Sequence, residues 1–138
     1  MSRRETILNA WNHAWGDGNV SAFGQLLTPD YIRRSKSGND DYASLRKTIE
    51  ATHTAFPDLV CEILHFLEDG DTAAIHWQTK GTHQGEFMDV PATGRSVTIT
   101  GASFLRFEGE KLAEEWVVSD PRELLAALGI WHLGPGNA

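Results

Sequence analysis

The chain has 138 residues, of which 41% are hydrophobic and 22% charged, and its formal net charge at pH 7 is -7. This length and composition are typical of one globular domain with a core of its own. The negative charge argues against nucleic acid or an anionic membrane surface as a partner, because both require a basic patch.

Two further features bear on the compartment. Cys61 is the one cysteine, so an intramolecular disulfide is excluded. The N-terminal sequence MSRRETILNAW lacks the features of a signal peptide, and no stretch approaches the roughly 20 apolar residues of a membrane span. We therefore expect a cytoplasmic protein.

Helical spacing of apolar residues dominates the first part of the chain. Ser2 and Glu5 have the spacing of a capping box, which predicts a helix that ends before Gly16. A third helix ends at Pro57, which cannot continue it. Between these two helices the pattern predicts a short helix over 20–27, a short strand over 31–35 and, in the polar sequence SKSGND, a mobile surface loop over 35–40.

After Pro57 the hydrophobic period changes from about 3.6 to 2, which indicates strands. They are predicted over 59–67, 72–82, 95–107 and 111–120, with a last helix over 121–128. Helices followed by an antiparallel meander indicate the α+β class. Because three amphipathic helices cover only one face of the sheet, a strongly curved sheet would wrap around them. We predict a single domain over residues 1–133 and a disordered tail over 134–138.

The stretch KLAEEWVVSD, residues 111–120, carries the central candidate. Strand alternation places Trp116 and Asp120 on one face and Glu115 on the other. We expect the row that runs from the aromatic ring to Asp120 to face a pocket. The alternative for Asp120 is structural, because Asp120-Pro121-Arg122-Glu123 is also a typical helix start with an aspartate N-cap.

Several motifs together resemble the SnoaL-like polyketide cyclase family. They are Phe56-Pro57-Asp58, the G-T-H-x-G-E-F segment over 81–87, the P-A-T-G-R segment over 91–95, and Glu115-Trp116 followed by Asp120. The resemblance implies a cone, in which a curved antiparallel or mixed sheet wraps around N-terminal helices and encloses a deep apolar pocket. It also implies a homodimer or higher homo-oligomer.

The family's best-known reaction is an intramolecular aldol ring closure on an aromatic polyketide ester, without metal or organic cofactor. The resemblance implies that Asp120 is the acid/base, because one carboxylate can remove and return a proton. His76 is a second catalytic candidate, which could exchange protons near neutral pH or be a sheet-face residue without a chemical role. The chain departs from the family, since many members carry arginine at His76 and no histidine occurs over 96–107.

The candidate substrate-binding residues each have a structural alternative. Arg106 could bind an acidic oxygen or form a surface ion pair, His83 could contact the ligand or fix its loop, and His53 could be a satisfied core histidine. The aromatic residues are either core or the walls that a flat ligand requires. The aromatic candidates are Trp15, Phe56, Trp77 and Trp116.

No sequence motif with metal-ligand spacing, nucleotide-binding glycines or an activated nucleophile is present. We therefore expect an enzyme that uses no cofactor and no metal on an aromatic polyketide or similar polycyclic carbonyl compound. The expected partner is a small apolar, aromatic ligand, with no nucleic acid and no membrane. The alternatives are an accessory protein that holds a polyketide for an oxidoreductase, and a family member that acts on another small apolar metabolite.

Overall fold

The structure is a computed structural model that describes residues 2–36 and 38–129. The helices are α1 (Arg3–Trp11), which a π-helical turn (Asn12–Gly16) continues, α2 (Val20–Gly24), α3 (Tyr42–Ala55) and α4 (Pro121–Ala127). The strands are β1 (Leu27–Ser35), β2 (Gly38–Asp40), β3 (Val60–Asp69), β4 (Thr72–Thr82), β5 (Ser96–Glu108) and β6 (Lys111–Ser119).

The helix starts follow from local capping. The Ser2 hydroxyl accepts the amide of Glu5 at 3.2 Å, as the capping box predicts. The Asp41 carboxylate accepts the amide of Ser44 at 2.9 Å and begins α3.

The six strands form one sheet in the order β2-β1-β6-β5-β4-β3. All neighbours are antiparallel except β1 and β6, which run parallel, so the sheet is mixed. Register shifts between Ile63 and His65 and between Arg106 and Phe107 add residues to one strand, which bends and twists a sheet. The predicted α+β fold is confirmed: a curved sheet wraps around the N-terminal helices.

Three sequence predictions differ from the structure. The second helix is shorter than predicted, and β1 begins at Leu27 rather than at residue 31. The segment predicted as a loop contributes β2, because Asp40 and Asn39 pair with β1 and gain its backbone hydrogen bonds. Polar composition conceals such an edge strand from a pattern search. The predicted tail over 134–138 lies outside the described residues.

The core lies between the helices and the concave face of the sheet. Trp11 and Phe23 meet edge to face with ring centroids 5.0 Å apart. They pack in one cluster with Ile75, Leu105 and Leu112 from the strands. The opposite, convex face exposes large apolar side chains, among them Leu67, Phe104, Trp116 and Val118.

A substitution at Leu105 tests whether the concave face is buried and the convex face exposed, because the Leu105 side chain is only 2% exposed. We expect Leu105→Ala to lower the free energy of unfolding by about 2–5 kcal/mol, through lost burial and a residual cavity. Val60 is 56% exposed, and Val60→Ala should cost about 1 kcal/mol or less. Urea unfolding measures both, and equal losses would contradict the assigned burial.

Candidate functional site

A cavity of about 160 Å³ lies between the helices and the concave face of the sheet. Its lining is mostly apolar and aromatic, with a few polar side chains among them. The helical side is formed by Trp11, Trp15, Thr52 and Phe56. The sheet side includes Cys61, Trp77, Ile99, Ser103 and Glu115, and Arg33 lines it from β1.

A buried carboxylate, that of Glu115, lies on this lining and is only 3% exposed. The Tyr31 hydroxyl donates a hydrogen bond to its Oε1 at 2.9 Å. The Arg33 Nε lies 3.9 Å from the same oxygen, since Arg33 and Glu115 are register partners in the parallel β1–β6 pair. A buried carboxylate requires such partners, because an uncompensated buried charge is strongly destabilising.

Arg33 retains unused donors. Its guanidinium lies 3.9 Å from Asp40 and 6.0 Å from the Trp15 ring. Within the described ranges it donates no hydrogen bond at ordinary length. A guanidinium has five N–H donors, so Arg33 can donate to an oxygen of a bound molecule while it balances the charge of Glu115.

Trp77 forms part of the sheet wall, and Gly101 makes its position possible. The two residues are register partners, and a Cβ on Gly101 would lie 2.3 Å from the Trp77 indole. The indole Nε1–H donates to the Ser103 Oγ at 3.1 Å. The missing side chain at residue 101 therefore allows the ring to lie across β5.

Burial determines the protonation of two further groups. It raises the pKa of Tyr31, and the neighbouring Glu115 carboxylate raises it further, so the hydroxyl remains a donor. Burial also raises the pKa of the Cys61 thiol to about 12. Cys61 is thus a neutral, apolar part of the wall at neutral pH rather than a thiolate nucleophile.

The structure brings three of the predicted site residues to the cavity: Trp15, Phe56 and Trp77. It does not bring Asp120 there. The Asp120 side chain is 50% exposed and accepts the Arg122 amide at 2.9 Å as the N-cap of α4. Hydrogen bonds from Arg122 hold its pKa below the usual range. The capping alternative is therefore observed, and the catalytic role of Asp120 stays a prediction without a contact to the cavity.

Three other candidates lie on the convex face, opposite the expected side. The His76 Nδ1 lies 3.0 Å from the Nδ1 of His65, its register partner, and the two rings stack. Trp116 is half exposed beneath the Arg34 guanidinium. Arg106 forms ion pairs with Glu108 and Glu114, as its structural alternative predicts. The expected placement of these residues at the pocket is corrected, because the alternate side chains of β4, β5 and β6 face it.

The two remaining candidate histidines, His53 and His83, make internal contacts. The His53 Nε2 lies 3.1 Å from the Ala14 carbonyl oxygen and ties α3 to the π-helical turn. His83 is fully buried, and its Nδ1 accepts the Thr93 amide at 3.2 Å. Both contacts match the structural alternatives, and neither residue lines the cavity.

Sequence reasoning missed Glu115, Arg33, Tyr31, Ser103 and Trp11. The signal for Glu115 was present, because alternation placed it opposite Trp116. The bulky aromatic ring of Trp116 suggested that its face of β6 is the inner one, and this was wrong. In the parallel β1–β6 pair, residues 31 and 33 share the concave side with Glu115, a placement that requires the strand order.

Comparisons with known proteins agree with this fold. The family model for SnoaL-like polyketide cyclases matches residues 5–128. The chain is 32% identical to AclR, a candidate hydroxylase from Streptomyces galilaeus, with a TM-score of 0.84 over 94% of this chain and 97% of that one. It is 26% identical to IdmH, a candidate polyketide cyclase from Streptomyces antibioticus, with a TM-score of 0.80 over 94% and 99%.

The fold extends to more distant structures. A protein with a ketosteroid isomerase-like fold from Catenulispora acidiphila is 20% identical, with a TM-score of 0.72 over 92% of this chain and 97% of that one. No curated protein matches the chain. In the described part of the chain, no three His, Cys, Asp or Glu side chains converge to hold a metal ion. Nor does any helix there have the length and apolar content to span a membrane.

Thermal unfolding of Asp120 variants tests whether Asp120 has a structural role as the N-cap of α4, in addition to or instead of an acid/base role. We expect Asp120→Ala to lower the melting temperature by a few degrees, whereas Asp120→Asn should lower it less, since Asn is an equally good N-cap and only the charge is lost. Because the folded pKa is lowered, the carboxylate stabilises fully above its ordinary pKa of 3.8, and this contribution is lost as the pH falls through the folded pKa. Thermal unfolding between pH 2 and pH 7 checks this; an Asn variant as unstable as the Ala variant would contradict a capping role.

Proposed function

Because the chain belongs to the SnoaL-like polyketide cyclase family, we propose that it is an acid/base enzyme that acts on a carbonyl compound held in the cavity, with Glu115 as the group that moves the proton. The observation that carries this proposal is a buried carboxylate on the wall of an apolar cavity, beside an arginine with unused donors.

The proposed chemistry needs only residues of this chain. The Glu115 carboxylate takes a proton from the carbon next to a ligand carbonyl, and the C–H electron pair forms the enolate. Arg33 donates to the enolate oxygen, where negative charge develops. In an aldol ring closure the enolate carbon attacks a second carbonyl of the same molecule, a C–C bond forms, and Glu115 returns the proton to the new alkoxide.

Tyr31 has a positioning role in this scheme. Its hydroxyl donates to Oε1, so that it fixes the carboxylate while Oε2 takes part in no hydrogen bond with the described residues. The free oxygen is therefore the one that we assign to proton transfer.

The size of the cavity bears on the substrate. An engineered cavity of about 150 Å³ in another protein holds benzene, whereas pockets for drug-sized ligands measure about 300–1,000 Å³. A cavity of about 160 Å³ therefore suits a ligand with one aromatic ring, and fused rings require lining side chains to move. This favours a small aromatic carbonyl compound over a four-ring polyketide.

The similarity to AclR supports a second candidate function. AclR is a candidate hydroxylase, so this chain could hold a polyketide for an oxidoreductase instead of closing a ring itself. Incubation of the purified protein alone with an aryl poly-β-keto ester discriminates the two. Ring closure without a second protein would exclude a purely accessory role.

Proton transfer by Glu115 can be tested without knowledge of the natural substrate. Acetophenone has exchangeable methyl hydrogens beside its carbonyl, and NMR in D₂O measures their replacement by deuterium. We expect Glu115→Gln to lower the protein-catalysed exchange rate by about 100-fold or more, the usual range for general-base catalysis.

Two matched variants complete this experiment. Glu114→Gln changes the neighbouring carboxylate, which pairs with Arg34 away from the cavity, and should leave the rate unchanged. Asp120→Asn should also leave the exchange rate unchanged. Wild-type exchange in Glu115→Gln would refute the assignment, and loss of exchange in Asp120→Asn would return the acid/base role to Asp120.

We also propose that the convex face pairs with a second copy of the chain. Leu67, Ala74, Phe104 and Trp116 are successive register partners across four strands, so they form a continuous apolar row. Charged groups beside this row neutralise one another, because Glu114 pairs with Arg34 and Arg106, and Glu108 also pairs with Arg106. An apolar patch of this kind suits an identical patch better than a charged partner.

Trp116→Glu tests the proposed dimer. We expect at least about a thirtyfold weaker self-association, since loss of a central tryptophan costs 2 kcal/mol or more at an interface. Met88→Glu is the control, because Met88 is an exposed apolar residue away from this face. Sedimentation velocity over a range of concentrations gives both values. A monomeric wild type, or equal effects of the two variants, would rule the interface out.

A further inference from the structure

We infer that the Ser103 hydroxyl is a ligand-binding group that donates a hydrogen bond to a carbonyl oxygen in the cavity. The inference rests on the proposed function, because it adds a specific contact to the same site. Ser103 is 1% exposed and lies on the cavity wall. Its register partners are Ile75 on β4 and Val117 on β6, whose side chains have no hydrogen-bonding atoms.

The Ser103 hydroxyl accepts a hydrogen bond but donates none to the described residues. Its Oγ accepts from the Trp77 Nε1–H at 3.1 Å. An indole N–H only donates, so this contact uses a lone pair of Ser103 and leaves its O–H hydrogen without an acceptor. Among residues 2–36 and 38–129 the Ser103 side chain makes no other hydrogen bond.

Such a buried donor is unfavourable unless something in the cavity accepts it. Leaving a buried donor unpaired costs about 1–3 kcal/mol. The indole occupies one side of the Oγ, which directs the hydroxyl hydrogen elsewhere. The cavity is the open space that Ser103 and Trp77 share.

Gly101 and Trp77 are positioning residues for this contact. Gly101 leaves room for the indole across β5, and the indole Nε1–H then fixes the Ser103 oxygen two residues along the same strand. The cavity thus contains two sets of donors, on Ser103 and Arg33, and one carboxylate. A ligand that satisfies this set carries acceptor oxygens on an apolar, aromatic body.

The test uses acetophenone and ethylbenzene, which differ only by a carbonyl in place of a CH₂ group. Isothermal titration gives the ratio of their dissociation constants. For the wild type we expect acetophenone to bind more tightly. Ser103→Ala should raise the dissociation constant of acetophenone by about tenfold, because the buried carbonyl oxygen loses its hydrogen-bond donor. The dissociation constant of ethylbenzene should change by no more than about twofold.

Thr52→Val is the matched control. The Thr52 hydroxyl also lines the cavity but donates to the Thr48 carbonyl oxygen at 2.7 Å, so its removal should not change the ratio. Unchanged ethylbenzene binding in Ser103→Ala also shows that the variant is folded. A second readout is the ¹³C shift of carbonyl-labelled acetophenone, which should move toward its value in apolar solvent in Ser103→Ala.

Two outcomes overturn the inference. One is a wild type that does not prefer acetophenone, including a wild type that binds neither compound. The other is a carbonyl preference that survives in Ser103→Ala. Failure of the proposed function has a different signature: Glu115→Gln retains deuterium exchange while the carbonyl preference still depends on Ser103.

Discussion

The pairing of β1 with β6 is the constraint on which the site depends. It is the one parallel contact between neighbouring strands in the described sheet, and it brings the N-terminal part of the chain against the last strand. Because of this register, Arg33 lies opposite Glu115 and the Tyr31 hydroxyl reaches its carboxylate. Without these partners the buried charge would be strongly destabilising, so these contacts are what permits a carboxylate in the core.

The curved sheet separates two kinds of surface. Its concave face, together with the helices, encloses a cavity whose wall is mostly aromatic and aliphatic. Its convex face exposes a row of apolar side chains and a stacked pair of histidines. Since adjacent residues of one strand serve opposite faces, a substitution at Glu115 changes the cavity wall, whereas one at Trp116 changes the exposed convex face.

The cavity wall shows how a small residue can determine a chemical contact. Gly101 contributes no side chain, and for that reason Trp77 can lie across β5 and donate to Ser103. Size and polarity of the cavity are therefore coupled. A larger residue at position 101 would displace the indole and, with it, the group that orients the Ser103 hydroxyl.

The sequence by itself determined most of the elements, the α+β class and the family, because helical and strand periodicity, capping residues and short motifs are local properties. The sequence also predicted two alternative roles for Asp120, acid/base and helix N-cap, and the structure shows the N-cap, which depends on local sequence alone. Only the tertiary structure decided which face of β6 is buried. Alternation sorts Glu115 and Trp116 onto opposite faces, and each face carries a valine, so the pattern is symmetric. Register with β1 and β5 and the curvature of the sheet, which depend on residues far apart in the chain, place the carboxylate inside and the aromatic ring outside.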